Sequence, residues 1–186
     1  VFYGNGVFGP PQEEDLIEGK RLLQDAAEAI TLVEKGEGDG SGRDLWRRYW
    51  LFAGNLAVVR EQYDEAAMAF SKSLELAEEL REEQPDQIAS SLILRNALGQ
   101  VAATTTDPNL RMALLQRAAE LANDAYALDP DRKDLASQLW FAQTEIGLFA
   151  RLVGDYTTAE SAFATTLNLG RRHFQSDLTD FMQYLA

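Results

Sequence analysis

Gly54–Leu76, GNLAVVREQYDEAAMAFSKSLEL, and Gly147–Leu169, GLFARLVGDYTTAESAFATTLNL, are two readings of one pattern set 93 residues apart. Gly54, Tyr63, Ala66, Phe70, Leu74 and Leu76 recur as Gly147, Tyr156, Ala159, Phe163, Leu167 and Leu169. In each stretch the apolar residues keep helical spacing on both sides of a polar break, which predicts two helices joined by a turn. A glycine on one helix and an alanine on the other let the pair approach closely. The tyrosine and phenylalanine are expected to fill the space beside that contact.

A third glycine, Gly99, stands 45 residues after Gly54 and 48 before Gly147. The helix expected after it carries Ala118, Ala122 and Ala125 and closes on Ala127-Leu128-Asp129-Pro130. Tyrosine and phenylalanine are missing from this middle copy, and its turn reads as displaced by a longer insertion.

The remaining chain extends the helical reading. Leu16, Leu22, Leu23, Ala26, Ala27, Ile30 and Val33 predict a helix from Glu13 to about Lys35, ended by glycines at 36, 38, 40 and 42. Ser41 and Asp44 form an expected capping box for a helix from about Asp44 to Glu61. Its mate runs from Asp64 to Glu83, and another helix from about Gln87 to Ala103. Asp107-Pro108 suits a cap followed by a first helical turn, opening a helix to about Leu128. Asp129-Pro130-Asp131 repeats that punctuation before a helix over Leu135–Leu152; Gly154-Asp155 then turns the chain into Tyr156–Arg171. Leu178, Phe181, Met182 and Leu185 predict a closing amphipathic helix. Residues 1–11, VFYGNGVFGPP, read as an arm or linker, leaving 12–186 as one helical domain. No segment reads as a strand.

The order glycine, tyrosine, alanine, phenylalanine resembles the tetratricopeptide repeat, over about residues 44 to 170. That resemblance implies an all-α fold, a right-handed α-α superhelix of about three antiparallel helix pairs with a further helix at each end. The family period is about 34 residues, and this chain exceeds it by about a dozen, mainly in long second helices such as Leu74–Glu83. Long second helices ending near a proline are similar to arrays attached to bacterial signalling proteins such as kinases, nucleotide-binding switches and caspase-like proteases.

In that architecture the first helices of successive pairs line a concave groove. Counting three residues before and one after each glycine nominates Leu51 and Asn55, Asn96 and Gln100, and Thr144 and Leu148. Arg48, Val58, Ile93, Phe141 and Arg151 lie one turn away on the same faces. Side-chain amides both donate and accept, which suits a peptide backbone, and Arg48 and Arg151 could take a carboxylate. Families that clasp acidic chaperone tails place lysines and arginines beside such asparagines. Asn55 fits that habit, whereas Leu51, Ala97, Phe141 and Glu145 depart from it.

Composition narrows the function classes. The chain has 186 residues, no cysteine, a single histidine and a formal charge of −13. That charge opposes phosphate backbones, so nucleic acid is not an expected partner. No apolar run reaches the ~20 residues that cross a bilayer. Without cysteine there are no disulfides or zinc–thiolate sites, and the compartment stays open, with a soluble cytoplasmic location favoured. His173 lacks a second histidine or a thiol and is expected to be structural. The Gly36–Gly42 stretch lacks the Lys-Ser/Thr of a phosphate loop, and a calcium loop would put Arg48 where a glutamate is required. Carboxylate pairs such as Glu78-Glu79 sit in a solvated charged run. Trp46, Trp50 and Trp140 read as packing residues.

No catalytic residue, cofactor or metal is therefore expected, and the oligomeric state is left open. The expected function is a non-catalytic protein-interaction module or scaffold that holds a peptide or helix of a protein partner. The alternatives are a regulatory or sensor domain of a larger signalling enzyme, and an all-helical small-ligand receptor or enzyme. Because the chain opens at Val1, it is expected to be a piece of a longer one. Phe2, Tyr3 and Phe8 in the arm could dock into a groove of this chain or of a neighbour.

Overall fold

The computed structural model describes residues 13–35 and 41–174, and seven helices occur among them. They are α1 (Glu13–Lys35), α2 (Ser41–Val59), α3 (Tyr63–Glu83), α4 (Ile88–Thr104), α5 (Pro108–Leu128), α6 (Lys133–Leu152) and α7 (Tyr156–His173). No strand occurs among the described residues. The arm, most of the glycine-rich stretch and the expected closing helix lie outside them.

Extensive packing runs only between helices adjacent in the chain, and it is densest within α2–α3, α4–α5 and α6–α7. The glycine pattern explains the first and last of these pairs. A Cβ added to Gly54 would come within 2.6 Å of Phe70 Cδ1, and one added to Gly147 within 2.6 Å of Phe163 Cε1. Each ring of the second helix therefore fills a notch that only glycine leaves open. Ala66 and Ala159, buried on the facing helices, complete the close approach. The two tyrosines behave differently from expectation. Tyr63 and Tyr156 are 61% and 71% exposed; each is the first residue of its helix, so neither fills the space beside the notch.

The core is built largely of alanine, which lets helix backbones come together while larger residues fill the seams. Phe70 joins Ala57 and Ala66, with Leu51, Val58 and Val101 packed around them. Because Val101 belongs to α4, this cluster ties the second pair to the first. Ala77, Leu94, Ala97, Leu98 and Ala118 carry the core onward, and Leu139, Ala142, Ile146 and Phe149 continue it to α6. Trp140 packs partly buried against this last cluster. Trp46, Tyr49 and Trp50 stack edge to face along α2, with the Lys72 ammonium 4.0 Å above Trp50.

Polar links join neighbouring helices within the first pair and, farther along, helices two apart in the chain. Ser73 Oγ donates to the Arg47 carbonyl at 3.1 Å, Arg117 reaches Glu78 at 2.7 Å, and Arg43 bridges Glu79 and Glu83. The Tyr126 hydroxyl and His173 Nε2 stand 2.9 Å apart, which gives the lone histidine a partner across α5 and α7.

The turns correct two expectations. Helix α2 begins at Ser41, and the Asp44 carboxylate is bonded by Arg47 and Arg48 inside the first turns rather than serving a capping box. The middle pair also carries no insertion: Pro108 opens α5 nine residues after Gly99, as Tyr63 and Tyr156 open their helices nine residues after Gly54 and Gly147. Its path alone differs. The outer turns pass through a left-handed residue, Glu61 at φ 60° and Gly154 at φ 82°. Each is closed by a long backbone bond, Gln62 N–H to the Ala57 carbonyl and Asp155 N–H to the Ala150 carbonyl, both at 2.9 Å. The middle turn leaves its helix through an extended Thr105 and enters α5 at Asp107, whose carboxylate accepts from the amides of Asn109 and Leu110.

Candidate functional site

The residues expected to line a groove come from α2, α4 and α6, the first helices of the three pairs. Asn55, Asn96 and Arg151 are exposed. Arg48 is exposed too but already bonded to Asp44 Oδ2 at 2.7 Å, and Phe141 is 53% exposed with its edge against Trp140. Gln100 and Leu148 are partly buried. The Asn96 amide oxygen accepts from Arg95 Nη1 at 2.7 Å, so one of its bonding positions is used within the chain.

Other nominated residues face the interior. Thr144 is buried and donates its hydroxyl to the Trp140 carbonyl at 2.8 Å, which satisfies it inside its own helix. Leu51 and Val58 pack on the cluster around Phe70, and Ile93 packs on the one around Leu98. Counting by glycine fixed the helix face only to within about one residue, or 100° of rotation. That is enough to turn a groove position into a core one.

Between α4, α5 and α6 lies an open cavity of about 170 Å³, lined by Gly99, Ala103, Arg111, Leu115, Glu145 and Leu148 among others. It occupies the middle counterpart of the notches at Gly54 and Gly147. In register with Ala66 and Ala159 stands Arg111, and in register with Phe70 and Phe163 stands Leu115. Leu115 is buried in the core, yet no part of it comes within 4 Å of a Cβ built on Gly99; the nearest side-chain atoms are the Glu145 carboxylate oxygens at 4.0 Å. A leucine is too short to do what the two rings do.

The cavity is charged on two sides. The Arg111 guanidinium lies 4.6 Å from the Phe149 ring centroid. Arg95, 9% exposed, bonds Glu145 Oε2 at 3.2 Å. Burial pushes the Glu145 carboxyl above its ordinary pKa, with Arg95 and Arg111 pulling it partly back. Burial likewise lowers Arg95, against the pull of Glu145. The Nε atoms of Arg95 and Arg111 are both buried without a hydrogen-bond partner.

Sequence reading missed Arg95 and Arg111, and it treated Gly99 as one more close contact. The available signal was the nine-residue count from Gly99 to Pro108, which aligns Arg111 with two buried alanines.

Among the described residues no group of three or more His, Asp or Glu side chains could hold a metal ion, and no helix is long and apolar enough to cross a membrane. No family model matches this chain, and no curated protein matches it.

Proposed function

We propose that this chain is a non-catalytic interaction module: a tetratricopeptide-like, right-handed stack of helix pairs whose first helices hold a peptide or helix of a partner protein. The observation that carries this reading is the repeated notch, a glycine on the first helix of a pair filled by a ring from the second. Pairs keyed this way have an apolar face left over, and stacking in chain order buries it. The side chains left on the first helices are amides, apolar groups and arginines, suited to an extended backbone with mixed side chains.

At the cavity beside Gly99, size favours a peptide side chain over a whole metabolite. Sites for small organic ligands run to roughly 300–1,000 Å³ and close around them. The cavity beside Gly99 is about 170 Å³ and open, room for one side chain of something longer.

Selection of a displayed random-peptide library on this protein tests the reading. Peptides should be recovered, and changing Asn55, Asn96 and Gln100 together to alanine should weaken their binding by about a hundredfold, at ~1 kcal/mol for each lost hydrogen bond. Undiminished binding by the triple variant would rule the groove out.

A further inference from the structure

We infer that the open notch at Gly99 is a binding site for one aromatic side chain, supplied by a partner peptide. The inference rests on the groove reading and adds a recognition element to it. The protein itself shows what the notch accepts. At Gly54 and at Gly147 the equivalent space holds a phenyl ring pressed against the glycine backbone, from Phe70 and Phe163. At Gly99 the residue in that register is Leu115, and nothing from the chain's described residues comes closer than 4.0 Å to a Cβ built there.

Volume and charge point to the same occupant. A protein cavity of about 150 Å³ holds a benzene molecule, and this one measures about 170 Å³. Its walls are apolar at Ala103, Leu115 and Leu148; one side carries the Arg111 guanidinium, and the Glu145 carboxylate stands 4.0 Å from a Cβ built on Gly99, where the positive edge of a ring could meet it. Arginine already rests over one ring here, that of Phe149. A cation beside the notch favours the negative face of an entering ring over an aliphatic side chain of equal size.

The test uses the full chain and three small probes, N-acetyl-phenylalaninamide, N-acetyl-leucinamide and N-acetyl-alaninamide, followed by amide chemical shifts and intermolecular nuclear Overhauser effects. The phenylalanine probe should shift the Gly99 and Ala103 amides saturably, with ring-to-Leu115 methyl contacts, and bind about fivefold more tightly than the leucine probe. Leu115→Phe should fill the notch from within and reduce probe binding by about tenfold or more. Gly99→Leu, which has space to enter the notch from the other side, should do the same and serves if the first variant is poorly folded.

No saturable shift, or binding unchanged in both variants, overturns the inference. Contacts in the free protein between Gly99 and the rings of Phe2, Tyr3 or Phe8 overturn it too, because the occupant is then the chain's own arm. Library peptides that bind well but ignore Leu115→Phe sink the notch alone. Failure to recover any peptide, with the ring probe still bound, instead sinks the groove reading and the peptide nature of the occupant.

Discussion

Hairpins α2–α3 and α4–α5 run through the same number of residues from glycine to second helix, yet they spend the space beside the glycine differently. In α2–α3 the notch at Gly54 is closed by Phe70, 1% exposed, over a buried Ala66. In α4–α5 the same register offers Leu115 and Arg111, and a cavity flanked by Arg95 and Glu145 remains. Hairpin α6–α7 sides with the first pair through Gly147 and Phe163. Two pairs are thus sealed by their own rings, and the one between them keeps an opening flanked by a buried Arg95 and a part-exposed Glu145. Where a repeat keeps its geometry but drops its filler, the missing group marks a place for something else.

The comparison breaks hardest at the ring. Phe70→Ala should cost about 4 kcal/mol in urea unfolding, since a fully buried ring leaves a cavity that packed alanines cannot collapse into. Phe163 is only partly buried, so Phe163→Ala should cost about half as much. Equal losses at the two sites would show that ring burial does not set the cost, and a negligible loss at Phe163 would show that its ring does not seal the Gly147 notch.

Next in size is the glycine opposite. Gly54→Ala and Gly147→Ala each drive a methyl into a ring at 2.6 Å, and overpacking should outweigh the gain in helix propensity. A net loss of about 2 kcal/mol is expected at Gly54, in the same unfolding assay. A stabilised Gly54→Ala protein would mean that Phe70 has another place to go.

The outer turns separate by about 1 kcal/mol. Gly154 and Glu61 occupy the same left-handed position, and only glycine does so without strain. Nothing lies within 4 Å of a Cβ built on Gly154, so Gly154→Ala isolates the backbone term and should lose about 1 kcal/mol. Glu61→Gly should recover a similar amount, less the entropy glycine adds to the unfolded chain. Thermal midpoints that move in the same direction for both changes would refute the equivalence of the turns.

How much of this was legible beforehand follows from which interactions are local. Helix limits depend on caps, breakers and apolar spacing, all carried by nearby residues; hence α1 matches its expected span at Glu13–Lys35 and Asp107-Pro108 caps α5 as anticipated. The Gly54–Phe70 contact was legible because the same pair recurs at Gly147 and Phe163. The open notch was obscured because its register had to be counted through a turn of unfamiliar chemistry, where Thr106 stands in the place of Glu61 and Gly154 without their left-handed backbone. The Arg95–Glu145 pair spans two helices that are not neighbours in the chain, and no local pattern announces such a contact. Thr144, expected in the groove, is buried instead, and Leu51 and Val58 are partly buried, because helix rotation is the quantity that tertiary packing decides.

Gly99 returns the sharpest contrast among the three glycines, with a smaller effect and the opposite sign. A Cβ there meets nothing nearer than the Glu145 carboxylate at 4.0 Å, and the residue lies mid-helix with ordinary backbone angles. Gly99→Ala should therefore stabilise by about 0.8 kcal/mol, through helix propensity and a less flexible unfolded chain. One substitution at three equivalent positions would then lower stability twice and raise it once. A loss at Gly99 comparable to that at Gly54 would show that the middle notch is closed after all.

The charge beside the notch gives the smallest signal, and its sign is fixed by the direction of the Glu145 shift. A carboxyl held above its ordinary pKa by burial keeps its proton in the folded state after the unfolded chain has lost it. Stability then falls as pH rises from the ordinary carboxylate range through the raised value, and levels off beyond it. Glu145→Gln removes that titration while leaving an amide oxygen for Arg95 to bond. The difference in stability between the variant and the parent should move in the variant's favour across that interval. Half exposure of Glu145 and screening by salt hold the change to about 0.5 kcal/mol. A difference that moves the other way with pH would mean that the Arg95 ion pair, rather than burial, dominates at this carboxylate.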